Sequence, residues 1–580
     1  MKLWQRLLEF AIEIGKDAVV ETIWSTGFIT PEFRSKSGRF FAPLHFASER
    51  NKPTIFRSIL AKDNVDPNVL EMSKIVRSRG RLGPRETLFT EETPLICASG
   101  AGHLSIVKIL LEHKDIDVNR SDYEGKTALI RAAENGKEDV VALLIKREDI
   151  VLDSRCKKNG NAFVYSAKHS QRVKSALAVM KLLHATGKLD IRSTIEGVSA
   201  VGWAAKEGNC EKLQFLFELG FDPDENEVET KGKTPLITAT VHSATDVVQL
   251  LLSTGRVNVN GTDRTDHTAL AHAIRSMGHR LCRRTECGLV EIVGILLSVH
   301  DIDINRKYRN SGQNVLALLC SKNHLMSFEI DHSDHVNHPS TRHFYSLKRE
   351  KALWHQKNCD RLILELLLSQ KLLEVDAEDN NGRTPLSLAA QMRGPNILEI
   401  LIFEMLVSRG STEVHFNSRD EKGRTPLSWA VETRYTSSAS TLQSVQDQIS
   451  PLQQLLQLQF VDPNLKDLSG KSPLLWAAEI FKPAAMVAFL CCEWVDIFVR
   501  DSNGDGLMEY LFKHRPVRIE VPLIQDLYEL RKSRMATEPL RYEEYKQWLE
   551  ENTGPVLGWT SEEHDLILGP LDWDGSGDEI

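Results

Sequence analysis

The sequence predicts an all-α solenoid of about 12–13 stacked helix-turn-helix units, each followed by a hairpin loop, with further helices closing the C-terminal end. Three observations predict it. A Thr-Pro-Leu box recurs along the chain, a pair of small residues follows each box, and an aliphatic block comes about a dozen residues later.

Thr93-Pro94-Leu95 returns as Thr127-Ala128-Leu129, 34 residues on, and Thr234-Pro235-Leu236 returns as Thr268-Ala269-Leu270 at the same spacing. Thr384-Pro385-Leu386, Thr425-Pro426-Leu427 and Ser472-Pro473-Leu474 continue the series at wider intervals. A hydroxyl followed by Pro starts a helix, because the hydroxyl caps orphan N–H groups and Pro is tolerated in the first turn. Small pairs such as Ala132-Ala133, Ala389-Ala390 and Ala477-Ala478 keep that helix thin enough for its neighbour to approach. Gly102, Gly136 and Gly208 supply the left-handed residue that ends it. The second helix carries blocks such as Val247-Val248 with Leu250-Leu251-Leu252, whose helical spacing predicts burial. Segments such as 115–119 (DIDVN), 301–305 (DIDIN) and 460–464 (FVDPN) then turn the chain into the next unit.

Period, box, small pair, glycine and aliphatic block together resemble the ankyrin-repeat family. The stretches 382–390 (GRTPLSLAA) and 423–431 (GRTPLSWAV) are most similar in wording to the long arrays of filamentous fungi. The resemblance implies a concave face, lined by first helices and hairpin tips, that binds partners.

The array is expected over residues 1–515, beginning with a degenerate unit around Leu7-Leu8, Ala11 and Val19-Val20. Insertions fall near 69–91, 275–288, 326–354 and 433–450, where surface loops are expected. Two capping helices are expected within 516–554. The tail, 555–580, has seven acidic residues and no Lys or Arg, a composition expected to stay disordered when unbound.

Net charge is −8 with pI near 6.2, so nothing global draws the chain to nucleic acid, and none is expected as a partner. Nine scattered cysteines suit a reducing, intracellular setting, in cytoplasm or nucleus. Cys491-Cys492, in an aliphatic run, is expected in the core. No run approaches the roughly 20 apolar residues of a membrane span, so no membrane role is expected, and the chain is expected to be monomeric.

Apparent chemical motifs dissolve on inspection. The Gly-Lys-Thr/Ser triplets at 125–127, 232–234 and 470–472 lack the upstream Gly of a phosphate loop, with Arg120, Glu227 and Leu465 standing there. Asp501-Ser502-Asn503-Gly504-Asp505 copies the opening of a calcium loop, but Phe512 replaces its bidentate Glu. His332, His335 and His338 form the densest set of metal-ligand types, without a zinc-module spacing. No enzyme, cofactor or metal site is therefore expected.

The position just before each small pair faces the implied groove. It holds Phe10, Phe46, Cys97, Arg131, Tyr165, Trp203, Thr238, His272, Leu318, Leu388, Trp429, Trp476 and Tyr510. The candidate partner-binding residues are Phe46, Arg131, Tyr165, Trp203, Trp429, Trp476 and Tyr510, with Tyr123 and Arg419 from hairpin tips. Trp, Tyr and Arg are the usual energetic anchors of interfaces. Each ring has two open roles, packing between adjacent first helices or contacting a partner. Tip residues Arg120, Asp122, Asp420 and Lys422 are read as solvated charges that tune specificity. The function expected is a non-catalytic scaffold binding one or more proteins. Its rivals are an adaptor recruiting an enzyme, such as a ubiquitin ligase, through 516–554, and a metal or catalytic site in an insertion.

Overall fold

The computed structural model describes residues 2–26, 33–34, 40–41, 43–62, 65–78, 85–168, 173–224, 232–276, 288–321, 359, 361–391, 401, 415–432, 451–507 and 509–510. They fall into two compact units, Met1–Ala269 and Leu270–Ile580. Both are built of stacked helix pairs. The His332/His335/His338 cluster, Cys282, Cys287 and the segment 516–580 lie outside the described residues.

One repeat shows how the residues build the element. Thr93 sits in extended backbone and its hydroxyl accepts the N–H of Ile96 at 3.2 Å, opening the helix Pro94–Ala101. Gly102, at φ +85°, closes the helix with its N–H on the carbonyl of Ala98, a conformation that strains any residue with a Cβ. The second helix, Leu104–Leu111, buries Ile106, Val107, Ile109 and Leu110. The same hydroxyl cap opens the helices at Thr127, Ser199, Thr234, Thr425 and Ser472.

Repeats stack through like elements. In the first unit Pro94–Ala101 packs on Ala128–Glu134, that on Ala162–Lys168, and that in turn on Ala200–Lys206. Ala132, Ala133, Ala204 and Ala205 are completely buried at these contacts, as their small size requires. Lys212, in the second helix Cys210–Glu218, is also fully buried. Its ammonium donates to the carbonyls of Ser166 (3.1 Å) and Ala167 (3.0 Å) near the end of the preceding repeat's first helix.

Between repeats, the Asn of the extended segment acts as a two-handed clasp. Asn119 donates to the carbonyl of Asp149 (2.8 Å) and accepts from the N–H of Val151 (2.7 Å). Asn305 does the same with Leu372 and Glu374, Asn417 with Phe460 and Asp462, and Asn464 with Trp494 and Asp496. An amide side chain is both donor and acceptor, so one residue satisfies an N–H and a C=O two positions apart.

The all-α expectation needs one addition. Residues 71–78 and 85–92, inside a predicted loop insertion, form an antiparallel hairpin with Glu71 opposite Glu92 and Ser78 opposite Arg85. Its sequence carries the signal: Ile75, Val76, Thr87 and Thr90 are β-formers, with Gly80, Gly83 and Pro84 between the two runs. A second, two-residue pairing joins Phe33–Arg34 to Phe40–Phe41. The other insertions share a different place. Residues 277–287, 322–358 and 433–450 each separate the first helix of a repeat from its second, rather than one repeat from the next. Around the largest of these, Val315–Cys320 still packs directly on Pro385–Gln391. Cys491 is not core: it lies exposed just past the end of the helix Pro483–Leu490.

Two outcomes are expected. Asn464→Ala, which removes the side chain that joins a carbonyl and an N–H of the next repeat, should lower stability by about 0.5–1.5 kcal/mol in urea unfolding; an unchanged midpoint would remove the clasp as a stabilising contact. Burial pushes the Lys212 ammonium down to about 8. The unfolded chain therefore binds the extra proton between about pH 8 and the ordinary lysine value of about 10.4, so stability due to this group rises across that window. The stability of wild type relative to Lys212→Met should grow as pH is raised through it, and a flat difference would contradict the burial of a titrating ammonium.

Candidate functional site

In four of the described repeats the turn aspartate also holds the first-helix residue nine positions on, and Asp467 shows how. Its Oδ1 accepts the N–H groups of Ser469 (2.8 Å) and Lys471 (2.9 Å), which ties the turn. Its Oδ2 accepts the indole N–H of Trp476, nine residues on, at 2.8 Å. Asp420 repeats the arrangement with Lys422, Arg424 and the indole of Trp429 (3.0 Å). Asp501 does so with Asn503, Asp505 and the hydroxyl of Tyr510 (2.7 Å). In the first unit Asp122 ties Glu124 and Lys126, and its Oδ2 takes the guanidinium of Arg131 at 2.6 Å. Where the ninth residue is Leu388, Arg383 turns back onto Asp379 instead, at 2.9 Å. Where Cys156 replaces the Asp, its sulfur meets the Tyr165 hydroxyl at 3.3 Å.

Asp122 and Asp420 are thus corrected from solvated tip charges to buried organisers. The reason is the turn itself, whose backbone N–H groups converge on one carboxylate and remove its need for water. Burial opposes the charge on Asp501, but the bonds from Tyr510 and the N–H groups of Asp505 and Asn503 outweigh it and hold this carboxyl below its usual range. The pairing is legible in the sequence as Asp-x-x-Gly with a Trp, Tyr or Arg nine residues after the Asp, and in all but the Asp501 turn the Gly is followed by Lys/Arg and Thr/Ser. Comparing the turn with the groove position, rather than each alone, is the signal that finds it.

Cations thread between the rings. Arg383 lies 5.6 Å from the Trp429 ring centroid, and Arg424 lies 3.9 Å from Trp429 and 4.2 Å from Trp476. Lys471 lies 4.9 Å from Trp476 and 5.6 Å from Tyr510. Each cation so spans its own repeat and the next, a geometry favoured by the ring quadrupole. Arg424 is 4% exposed; its terminal nitrogens donate to Glu432 and to the carbonyl of Ser428, while its Nε is buried without an acceptor among the described residues. Lys471 is paired with Glu479 at 2.9 Å. Trp429, Trp476 and Tyr510 therefore stand as one ordered stripe. Trp429 and Trp476 keep a partly exposed face, while Tyr510 is buried.

In the first unit Arg131 joins Asp122, Glu92 (3.1 Å) and Glu134 (3.4 Å). Burial opposes its charge, but Asp122, Glu92 and Glu134 raise its pKa further. Glu92 closes the hairpin strand Arg85–Glu92, so the insertion delivers a carboxylate to Arg131. Tyr165 is 1% exposed, with Lys126 4.7 Å above its ring; burial and the Cys156 thiol raise its pKa. Trp203 is 7% exposed between Lys168 (4.7 Å) and Lys206 (4.6 Å). Phe46 is half-buried beside Arg50, at 5.2 Å. At the tips, Tyr123 donates to Glu124 and Arg419 is exposed. Among the described residues no group of three or more His, Cys, Asp or Glu could hold a metal ion, and no helix is long and apolar enough to cross a membrane.

The turn clamp has a measurable strength. Asp467→Ala should cost about 2–3 kcal/mol, since two turn N–H groups and one indole lose their acceptor. In a double-mutant cycle with Trp476→Phe, a coupling of about 1 kcal/mol is expected by urea unfolding, and strictly additive losses would mean that ring and carboxylate are independent.

Known proteins place this geometry in a family. The family model described as "Ankyrin repeats (3 copies)" matches residues 44–156, 201–307 and 352–450. A crystal structure of the human ASB11 ankyrin repeat domain is similar over 39% of this chain and 91% of that one, at 18% identity and a TM-score of 0.33. No curated protein matches the chain. Ankyrin repeats generally bind other proteins, and the family is typically non-catalytic. With more than half of its residues matched, and with capped helix pairs and hairpin turns in register, this chain belongs to the ankyrin-repeat family.

Proposed function

We propose that the protein is a non-catalytic scaffold that binds partner proteins on the face formed by its first helices and hairpin turns. The observation that carries this reading is the stripe Trp429–Trp476, partly exposed rings held rigid by Asp420 and Asp467 and interleaved with Arg424 and Lys471. Rings already ordered in the free protein lose little side-chain entropy on binding, which is what makes Trp an efficient anchor. Tyr510 is buried, so it acts as a support of that face, and Tyr165 is a buried support within the first unit. Arg419 is exposed and adds specificity around it; within the first unit Phe46, Arg131 and Tyr123 keep exposed atoms that add specificity there.

The test is crosslinking capture from native extract, followed by purified binding of whatever is captured. Trp429→Phe/Trp476→Phe keeps aromatic packing while trimming the contact area and the indole N–H groups. Circular dichroism should show the variant folded, and affinity for the captured protein should fall by about ten-fold or more, a loss of ~1.4 kcal/mol. Unchanged affinity with the fold intact would move the contact surface off this stripe.

A further inference from the structure

The Trp203 repeat is built like its counterparts in the second unit, except at one point. Trp429 and Trp476 each have an indole N–H on a turn carboxylate and a cation against the ring. Trp203 has cations on its ring, Lys168 and Lys206, but its Nε1 is buried and finds no acceptor among the described residues. The cause lies in the preceding turn. The bond from Ile195 N–H to the carbonyl of Val198 closes it, where Asp467 to Lys471 closes the longer turn before Trp476. Glu196 N–H reaches Lys158 of the previous turn, as Leu468 reaches Lys422, which confirms the register. Ile195 therefore stands where the other repeats have Asp, and the turn is one residue shorter. The nearby acid Glu196 is turned outward onto Lys158, at 2.7 Å.

We propose that Trp203, Lys168 and Lys206 form a receptor for one side-chain carboxylate of an acidic peptide segment in a partner protein. The visiting carboxylate accepts the indole N–H, as Asp467 does from Trp476, and pairs with the two ammonium groups. An orphaned buried N–H costs about 1–3 kcal/mol, and a ligand that satisfies it recovers that loss. Burial lowers the pKa of Lys168; Glu134 and Glu196 oppose that shift and Lys126 and Lys158 add to it, so an arriving anion stabilises the charged form. Lysine stems are flexible and Lys206 is exposed, so the ammonium groups can swing to meet the ligand.

This inference rests on the scaffold reading, but it concerns the first unit alone and is tested separately. The probe is a hexa-aspartate peptide with an amidated C-terminus, titrated at low salt into the full chain carrying ¹⁵N-labelled tryptophan. The indole resonance of Trp203, assigned by its absence in Trp203→Phe, should move downfield with added peptide. Peptide affinity should fall by about ten-fold in Trp203→Phe and also in Lys168→Gln/Lys206→Gln, which leaves the ring in place. No binding by the wild type, a stationary Trp203 resonance, or unchanged affinity in both variants would each overturn the proposal. An equal shift with inorganic phosphate would overturn it too, by showing a general anion site. Because Trp429 and Trp476 are intact in every variant used, loss here leaves the scaffold test unaffected, and the reverse also holds.

Discussion

The turn aspartate is the constraint on which the orientation of the first-helix side chains depends. One carboxylate has enough acceptor capacity to tie two backbone N–H groups and still hold a third donor. The turn uses Oδ1, and Oδ2 is left pointing at the residue nine positions on. At Asp420, Asp467 and Asp501 that donor is an aromatic residue, and at Asp122 it is Arg131. The turn thus dictates the orientation of the groove side chain, and the groove side chain in turn keeps the carboxylate from needing water.

Stacking makes that local device cooperative. The tips are joined by backbone bonds, such as Leu468 to Lys422 and Ser502 to Ser469. A Cβ at Gly470 would lie 2.5 Å from the Ser502 nitrogen, so this approach demands glycine, as does its φ of +79°. On the other side of each repeat the Asn clasps hold the extended segments, and between them the small pairs set the distance of helix to helix. The cations Arg424 and Lys471 then bridge rings of adjacent repeats. Nearest-neighbour contacts of this kind let a repeat array tolerate long insertions, between the two helices of a repeat as at 322–358 and 433–450 or between repeats as at 71–92.

Departures from the pattern carry the individuality of the chain. The hairpin at 71–78 and 85–92 brings Glu92 to Arg131. Ile195 removes a carboxylate and leaves Trp203 with cations and no acceptor. Lys212 inserts an ammonium where the second helices otherwise bury aliphatic chains, and finds its acceptors at the end of a first helix. None of these is visible from a repeat considered alone.

The sequence by itself determined the helical repeat, because hydroxyl caps, Pro, small pairs and aliphatic blocks act within a single unit and recur at a fixed period. It also marked the groove position, from Phe46 through Tyr510, since that position has a constant offset from the small pair. Which of those side chains keep an open face was decided only by tertiary structure. Trp429 and Tyr510 occupy the same offset, yet one is partly exposed and the other buried. Accessibility depends on what the next repeat places over the ring, and charge depends on which carboxylate reaches it. The burial of Asp122 and Asp420 and the unmet indole of Trp203 were likewise settled in three dimensions, because each is a relation between a turn and a helix rather than a property of either.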